Sequence, residues 1–259
     1  MEFITVERTG GTTTVTLNRP AVLNAINPDM HDELEAAFNH FAADPAQGIC
    51  VITGAGDRAF CAGSDLKAAV ADGVHRGYPA HGYAGLIERF DCPKPFIAAV
   101  NGVAMGGGFE LALACDIIIA AESAVFALPE PLVGAVALGG GLHRLARQIG
   151  LKQAMGMILA SRRVDAREGE RLGFVNEVVA VADLGQAVTR WCDAILKASP
   201  MSIRASKEAV MRGLGEPDLA AAMHAQVSYP AFDAWRNSED AREGPRAFAE
   251  KRAPVWKGS

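Results

Sequence analysis

Residues 3–8 and 12–17 alternate apolar and polar positions on either side of Gly10-Gly11, the period of a half-buried strand, and predict an opening β-hairpin. The period then changes. Met30, Leu34, Phe38 and Phe41 recur at helical spacing, with Asn27 placed to cap the helix and Pro28 suited to its first turn. Ile49 to Thr53 is a short apolar run closed by Gly54, and Phe96 to Val100 and Ile117 to Ile119 are two more, each predicting a buried strand. Residues 72–85, with four glycines, two histidines and two tyrosines, predict a mobile loop that becomes helical near Leu86. Gly106-Gly107-Gly108 leads into a predicted helix from Phe109 to about Cys115. From residue 142 the pattern is mostly helical. Asp165 and Glu168 have capping-box spacing, with Gly173 placed to stop that helix. Asp183 is a cap candidate for the next helix, which presents Val188, Trp191 and Ile195, and Pro200 opens another. Met155, Met157, Ile158 and Leu159 read as core, and residues 239–252 as a last helix. Strands interleaved with helices, then a helical end, indicate an α/β class with no internal repeat.

Composition narrows this picture. A chain of 259 residues, half of them hydrophobic, suits one large domain or a main domain with a short extension. The formal charge of -5 argues against a nucleic-acid partner, and the stretch from residue 200, with nine Lys/Arg against eight Asp/Glu, offers no basic face for a membrane or nucleic acid. Cys50, Cys61, Cys92, Cys115 and Cys192 are scattered and odd in number without a CxxC pair, which speaks against a disulfide framework or a zinc site. The N-terminal residues show no signal-peptide pattern. The most apolar stretch, residues 111–121, contains Asp116 and is too short to span a bilayer. The expected compartment is the cytoplasm, with neither membrane nor nucleic acid as partner.

Three segments can carry chemistry. Residues 59–66 follow one predicted buried strand and residues 101–110 follow another, and both place small residues where main-chain N–H groups can approach a ligand closely. The second also feeds a helix N-terminus, where free N–H groups and the helix dipole favour negative charge. Two such turns side by side form an oxyanion hole, in which each donor is worth about 3–4 kcal/mol of transition-state stabilisation. Packing alone also accounts for small residues in tight turns. Glu110 and Glu130 are the third element. Each sits among apolar neighbours, where a carboxylate is costly to bury unless paired or protonated. Near one cavity two such groups divide acid and base roles, whereas singly each has a plainer reading: Glu110 as a first-turn acid on the helix dipole, Glu130 as a solvated loop residue between prolines.

Together these segments resemble the crotonase (enoyl-CoA hydratase/isomerase) superfamily. The matching residues are Asn24-Ala25, Ile52-Thr53-Gly54 with Phe60 to Leu66, Lys94 to Gly102, Gly106 to Leu111 with Cys115-Asp116, and Phe126 to Glu130. The likeness runs at consistent spacing along almost the whole chain. Residues 109–114 and the ending 247–258 are most similar to the carnitinyl-CoA dehydratase subfamily. The resemblance implies a spiral of β-β-α turns over residues 1–200 and a helical region, 201–259, that covers the site and builds trimers, often paired into hexamers. It implies catalytic roles for Glu110 and Glu130 and an oxyanion hole from the N–H groups of Ser64 and Gly107, with Gly106 beside them. Val22, Ala25, Ala62, Asp65, Leu66 and Gly106 would bind the substrate and its coenzyme A. The implied activity is addition or removal of water across the 2,3 double bond of an acyl-CoA thioester, carnitinyl-CoA or crotonobetainyl-CoA among the candidates, with no metal and no separate cofactor. Isomerisation is the alternative within the superfamily. Ala137 and Leu138 depart from the proline and glycine common at these positions, and Leu138 is expected to intrude near the acyl end.

Other readings compete. Residues 54–59 fit a permissive G-x-G-x-x-A dinucleotide fingerprint with Asp72 as ribose partner, yet no helix pattern opens there. Cys61 as a nucleophile would need His75 or His81 as base, and a buried thiol is the commoner case. His143 reads as a helix-surface residue, and a non-catalytic acyl-CoA-binding scaffold is the remaining class. Tyr78, Tyr83, Phe90 and Trp235 are aromatic candidates for an acyl group that carries a cation, and Lys251 and Lys257 for the phosphates of coenzyme A.

Overall fold

The hairpin forms as the alternation predicts. In the computed structural model, which describes residues 1–66 and 77–259, β1 (Ile4–Thr9) and β2 (Thr12–Leu17) pair antiparallel with Thr9 opposite Thr12. Helix α1 (Pro28–Ala43) begins where the cap signal lies: the Asn27 side chain accepts from the Met30 N–H at 3.0 Å. Its apolar stripe of Met30, Leu34, Phe38 and Phe41 is fully buried.

Three strand pairs then repeat one course. They are β3 (Ile49–Gly54) with β4 (Ala59–Cys61), β5 (Phe96–Val100) with β6 (Val103–Met105), and β7 (Ile117–Ala121) with β8 (Val125–Ala127). Strands β9 (Val164–Asp165) and β10 (Glu177–Val179) follow later. The first strand of each pair joins a six-stranded sheet ordered β1-β2-β3-β5-β7-β10, and the second joins a four-stranded sheet ordered β4-β6-β8-β9. The chain thus winds forward one strand per turn in both sheets, with β3, β5 and β7 parallel in one and β4, β6 and β8 parallel in the other. This is the expected spiral of β-β-α turns. The second sheet is the part that periodicity does not reveal, because three-residue strands are too short to display a period of two.

Both faces of the large sheet are covered, as a parallel sheet requires. Alternate residues Ile49, Val51, Ile97, Ala99, Ile119 and Ala121 face α6 (Leu184–Leu196), given that α2 (Gly107–Ala114), α3 (Gly141–Ile149), α4 (Leu151–Leu159) and α5 (Ala166–Leu172) precede it in the chain. The residues between them, among them Ile52, Ala98 and Ala120, belong to the larger core with α1 and α2. Four more helices, α7 (Pro200–Gly213), α8 (Leu219–Ala225), α9 (Pro230–Asn237) and α10 (Glu239–Ala249), complete the chain among the described residues. Lys207 ties α7 to the core, donating to the Lys94 carbonyl and to Asp116 Oδ2, each at 2.8 Å.

Two asparagines fasten the turns of the spiral to each other. Asn101, just after β5, accepts the Gly54 N–H and donates to the carbonyls of Gly54 (2.9 Å) and Gly56 (2.8 Å). Asn24 donates to the carbonyls of Ala55 and Ala59 while its Oδ1 accepts from the Arg19 N–H. Buried main-chain groups that no ladder reaches are satisfied in this way.

Several expectations need correction. Asp183 stands at the start of α6 without capping it, because a 3-10 turn, Val181–Asp183, runs straight into the helix and leaves Asp183 in a helical conformation. Near Leu86 there is no α-helix. A single 3-10 turn, Tyr83–Gly85, with Ala84 at a φ of 55° inside it, is followed by further turns. The start of that predicted loop, including Asp72 and His75, lies outside the described residues. Of the presumed core cluster only Met157 is fully buried, while Met155 and Leu159 are exposed on α4. All five cysteines are free and buried, and among the described residues no helix is long and apolar enough to cross a membrane.

Close approach of backbones is the tightest constraint in this packing. A Cβ on Gly108 would fall 2.1 Å from the Cys61 carbonyl oxygen, a main-chain atom of β4 that has no room to retreat. Gly108→Ala is therefore expected to destabilise the fold by about 2–3 kcal/mol, lowering the melting temperature by roughly 5 °C or more. A thermal melt within about 1 °C of the parent would contradict this account of the contact.

Candidate active site

The two glycine-rich turns meet. Gly63, at φ 93°, has its open side against the second turn: a Cβ there would lie 2.9 Å from the Met105 carbonyl oxygen and 3.2 Å from the Gly107 nitrogen. Gly106, at φ 53°, ends β6 and stands at the N-cap of α2, so Gly107 is the first helical residue and its N–H belongs to the unsatisfied first turn. Ser64 bridges to Ile26 through its neighbours, since Ile26 N–H donates to the Gly63 carbonyl and Asp65 N–H to the Ile26 carbonyl. Alternation along an extended segment turns the intervening Ser64 N–H the other way. Neither positive φ suits a side-chain-bearing residue, so the glycines at 63 and 106 are needed for this approach.

Glu110 lies one turn into α2, and its surroundings are unlike those of an ordinary first-turn acid. It is only 4 % exposed, and its Oε1 accepts from the Gly141 N–H at 2.9 Å. A Cβ on Gly139 would fall 2.5 Å from its Oε2, and one on Gly141 would fall 2.9 Å from its Cγ. The run 139–141 is therefore a cradle shaped to a carboxyl group. Burial raises the Glu110 carboxyl from its usual 4.5 to about 7, with the Gly141 N–H holding the shift back and the neighbouring Glu130 charge adding to it. Arg144, one turn along α3 and bonded to the Ile87 carbonyl, offsets part of that rise.

Glu130 comes to the same place from the other side. It opens a 3-10 turn, Glu130–Val133, and its Oε1 lies 2.9 Å from where a Cβ on Gly106 would be. Its Oε2 is buried without a hydrogen-bond partner among the described residues, and burial raises its pKa as well. Two carboxyl groups that both resist ionisation, close enough for one charge to raise the other, can hold a proton between them near neutral pH. The residue beyond their loop behaves unlike expectation. Ala137 turns in and is buried, whereas Leu138 is 80 % exposed and turned out.

The ledge predicted for coenzyme A is assembled by three main-chain bonds. Ala62 N–H donates to the Leu23 carbonyl, Ile26 N–H to Gly63 and Asp65 N–H to Ile26. They set Val22 and Ala25 against Ala62, Asp65 and Leu66, with Val22 and Leu66 exposed and Ala25 buried. Arg19 braces the ledge, donating to the Ala25 carbonyl and pairing with Asp65 at 3.0 Å.

A third wall is built from two of the four aromatic candidates, Tyr78 and Tyr83, whose place the sequence left open. Tyr83, 3 % exposed, stacks edge-on against His31 (4.7 Å) and Tyr78 (5.4 Å), and a Cβ on Gly107 would fall 2.4 Å from its hydroxyl. The Ser64 hydroxyl donates to the Tyr83 oxygen at 3.3 Å. The segment is held in a strained course, because Ala84 keeps φ at 55°, a cost of about 1–3 kcal/mol for a residue with a Cβ. The Ala84 N–H donates to His31 Nδ1 at 2.9 Å, and burial lowers His31 to about 4, so the ring is a neutral acceptor. Glu35 binds His81 at 2.6 Å from the same helix as His31.

The competing sites do not form among the described residues. Residues 54–59 lead into strand β4 where a dinucleotide fold needs a helix. Cys61 is fully buried and pushed up to about 12 by that burial, while His81 is engaged with Glu35. Phe90 is exposed beneath Arg144, Trp235 pairs with Phe232 on α9, and His143, Lys251 and Lys257 are surface residues.

Comparison with known proteins finds relatives along the whole chain. Residues 7–259 match the family model described as enoyl-CoA hydratase/isomerase. The chain is 42 % identical over 255 residues to a carnitinyl-CoA dehydratase of Proteus mirabilis, covering 96 % of both, and 41 % identical over 263 residues to one of Salmonella typhi, covering 99 % of both. Among solved structures it superposes on an enoyl-CoA hydratase from Mycobacterium tuberculosis with a TM-score of 0.91 at 33 % identity, over 100 % of both chains. An enoyl-CoA hydratase from Mycobacterium marinum gives 0.92 at 36 %, also over 100 % of both.

The raised Glu110 pKa has a consequence for stability. The group binds its proton more tightly folded than unfolded, so its contribution is fully present below about pH 4.5 and is lost as pH rises through about 7. Glu110→Gln removes that loss while keeping an acceptor for Gly141. Relative to the parent, the variant is expected to gain about 2–3 kcal/mol of unfolding free energy between pH 5 and pH 8 in denaturant titrations. An equal difference at both pH values would refute the assignment.

Proposed function

The chain belongs to the enoyl-CoA hydratase/isomerase family, and from that premise we propose that it adds water to, or removes water from, the 2,3 double bond of an acyl-CoA thioester. The observation that carries this reading is the buried Glu110 carboxyl, cradled by Gly139 and Gly141, raised to about 7 and close enough to Glu130 for that charge to add to the rise.

The proposed step follows from these groups. The N–H groups of Ser64 and Gly107 donate to the thioester oxygen. Electron density moves toward it as the water oxygen bonds to the β carbon and one water proton passes to Glu110. Glu130 delivers a proton to the α carbon, the enolate returns to a thioester, and the elements of one water molecule have been added. The pair then redistributes its proton, and dehydration is the same path reversed. Water, two carboxyl groups and the thioester balance the step, so we assign no metal and no separate cofactor. The ledge of Val22, Ala25, Ala62, Asp65 and Leu66 is assigned to coenzyme A.

The finer reading is an acyl group with a quaternary ammonium. It is supported by relatives named carnitinyl-CoA dehydratase at 41–42 % identity. It is also supported by Tyr78, which is half exposed and close enough for the Glu110 charge to add to the burial that raises its phenol pKa. An aromatic face there suits a cation. Assembly as a trimer, or a hexamer of two trimers, belongs to the same reading, as does a cytoplasmic location. The exposed apolar residues Met155, Leu159, Val210, Met211, Leu219 and Met223 on α4, α7 and α8 form the surface that association would cover.

Incubation with crotonyl-CoA and crotonobetainyl-CoA, read by mass spectrometry for gain of one water, tests the activity. Gain of water by either supports hydration, and a shifted double bond without water gain would replace it by isomerisation. Glu110→Gln and Glu130→Gln are each expected to lower kcat at least about a hundredfold with KM nearly kept. Near-native rates in both variants would remove the assigned roles. Light scattering is expected to give a mass three or six times that of the chain, and a monomer would refute the assembly.

A further inference from the structure

Tyr83 lies where the two donor turns and the carboxyl pair meet, yet the two-amide, two-carboxyl account leaves it without a task. Its hydroxyl lies 3.3 Å from Ser64 Oγ and 2.4 Å from where a Cβ on Gly107 would be, the two residues whose amides are assigned to the thioester oxygen above. The Glu110 and Cys61 groups are near enough to act on its ionisation, and burial keeps the phenol protonated throughout the neutral range. In the contact with Ser64 the serine is the donor, and 3.3 Å is at the long limit for two hydroxyls. Either hydroxyl of such a pair can turn to donate, and with the serine donating the phenol proton is free for another acceptor. The backbone reinforces the placement. Gly82, Ala84 and Gly85 all hold positive φ, and the neutral His31 ring accepts the Ala84 amide, so the strained turn drives Tyr83 inward beside Gly107. Strain of this kind persists where the surroundings over-determine it and collects at functional positions.

We propose that Tyr83 is a catalytic residue whose hydroxyl donates a third hydrogen bond to the thioester oxygen, beside the main-chain N–H groups of Ser64 and Gly107. This rests on the acyl-CoA reading above. A side-chain donor differs from the amides in one testable way, since its strength follows the acidity of the phenol.

The test uses the full chain and butyryl-CoA labelled with carbon-13 at the carbonyl, which binds without turnover. Infrared difference spectra report the polarisation of the bound carbonyl. Tyr83→Phe is expected to move the carbonyl stretch back toward its frequency in water. It is also expected to lower kcat on the hydrated substrate by about a hundredfold, the scale of one lost oxyanion donor, with KM changed less than about threefold. Replacing Tyr83 by 3-fluorotyrosine and by trifluorotyrosine is expected to shift the stretch further from its value in water, in step with phenol acidity. A residue that only fills space would leave the carbonyl indifferent to that acidity. An unchanged stretch in Tyr83→Phe, or no trend across the fluorinated series, overturns the role of Tyr83. A polarised carbonyl that follows the series in a protein that hydrates no enoyl thioester supports Tyr83 and overturns the hydratase reading alone. A wild-type carbonyl at its aqueous frequency overturns both.

Discussion

A carboxyl group held out of water at the head of an apolar helix is the interaction on which the rest of the site depends. Glu110 would be costly there as a bare ion. Three features around it make the position tenable and chemically useful: the Gly141 N–H, a glycine run shaped to the carboxyl group, and a pKa lifted to about 7. Helix α2 that carries it cannot shift without moving Gly107, and the turn before it cannot relax without disturbing Gly63. The same few residues therefore set the acid and the donors at once.

The spiral explains how such proximity is reached. Each turn sends one strand to the large sheet and one to the small, and parallel stacking brings equivalent connections next to each other. The connection after β4 carries Gly63 and Ser64, the one after β6 carries Gly106 and Gly107, and the one after β8 carries Glu130. Asn24 and Asn101 both bind carbonyls in and around the turn between β3 and β4, Asn101 reaching it from the turn between β5 and β6. Their burial is structural. It nonetheless sets the site, because main-chain donors aim only as well as the backbone that bears them.

The segment from Gly82 to Gly85 behaves differently. It is held by strain and by side chains of α1, with His31 under Ala84 and Glu35 close to Gly85. The sequence predicted a loop that becomes helical near Leu86, and the tertiary contacts won. A neutral buried histidine and a turn of positive φ leave no room for helical geometry, and the outcome is an aromatic wall rather than a helix cap.

Much of the fold was legible because long apolar periods report burial directly. The hairpin, α1 with its Asn27 cap, the three long parallel strands and the Asp165 cap all stand where the pattern places them. The glycine turns and both glutamates stood out by residue type, but packing and ordinary solvated acids account for each singly, and only the resemblance of the whole set gave them roles. Strands of three residues carry too little pattern to be read, so the second sheet waited for coordinates. So did the cradle of Gly139 and Gly141, the inward turn of Ala137 with Leu138 left outside, and the place of Tyr83. What the sequence by itself determined was the class of chemistry and the elements able to bear it. Only the tertiary structure decided which groups meet, because the contacts join residues 63 with 107, 110 with 141 and 83 with 64 and 107, and pairing between distant positions leaves no local signature in a single chain.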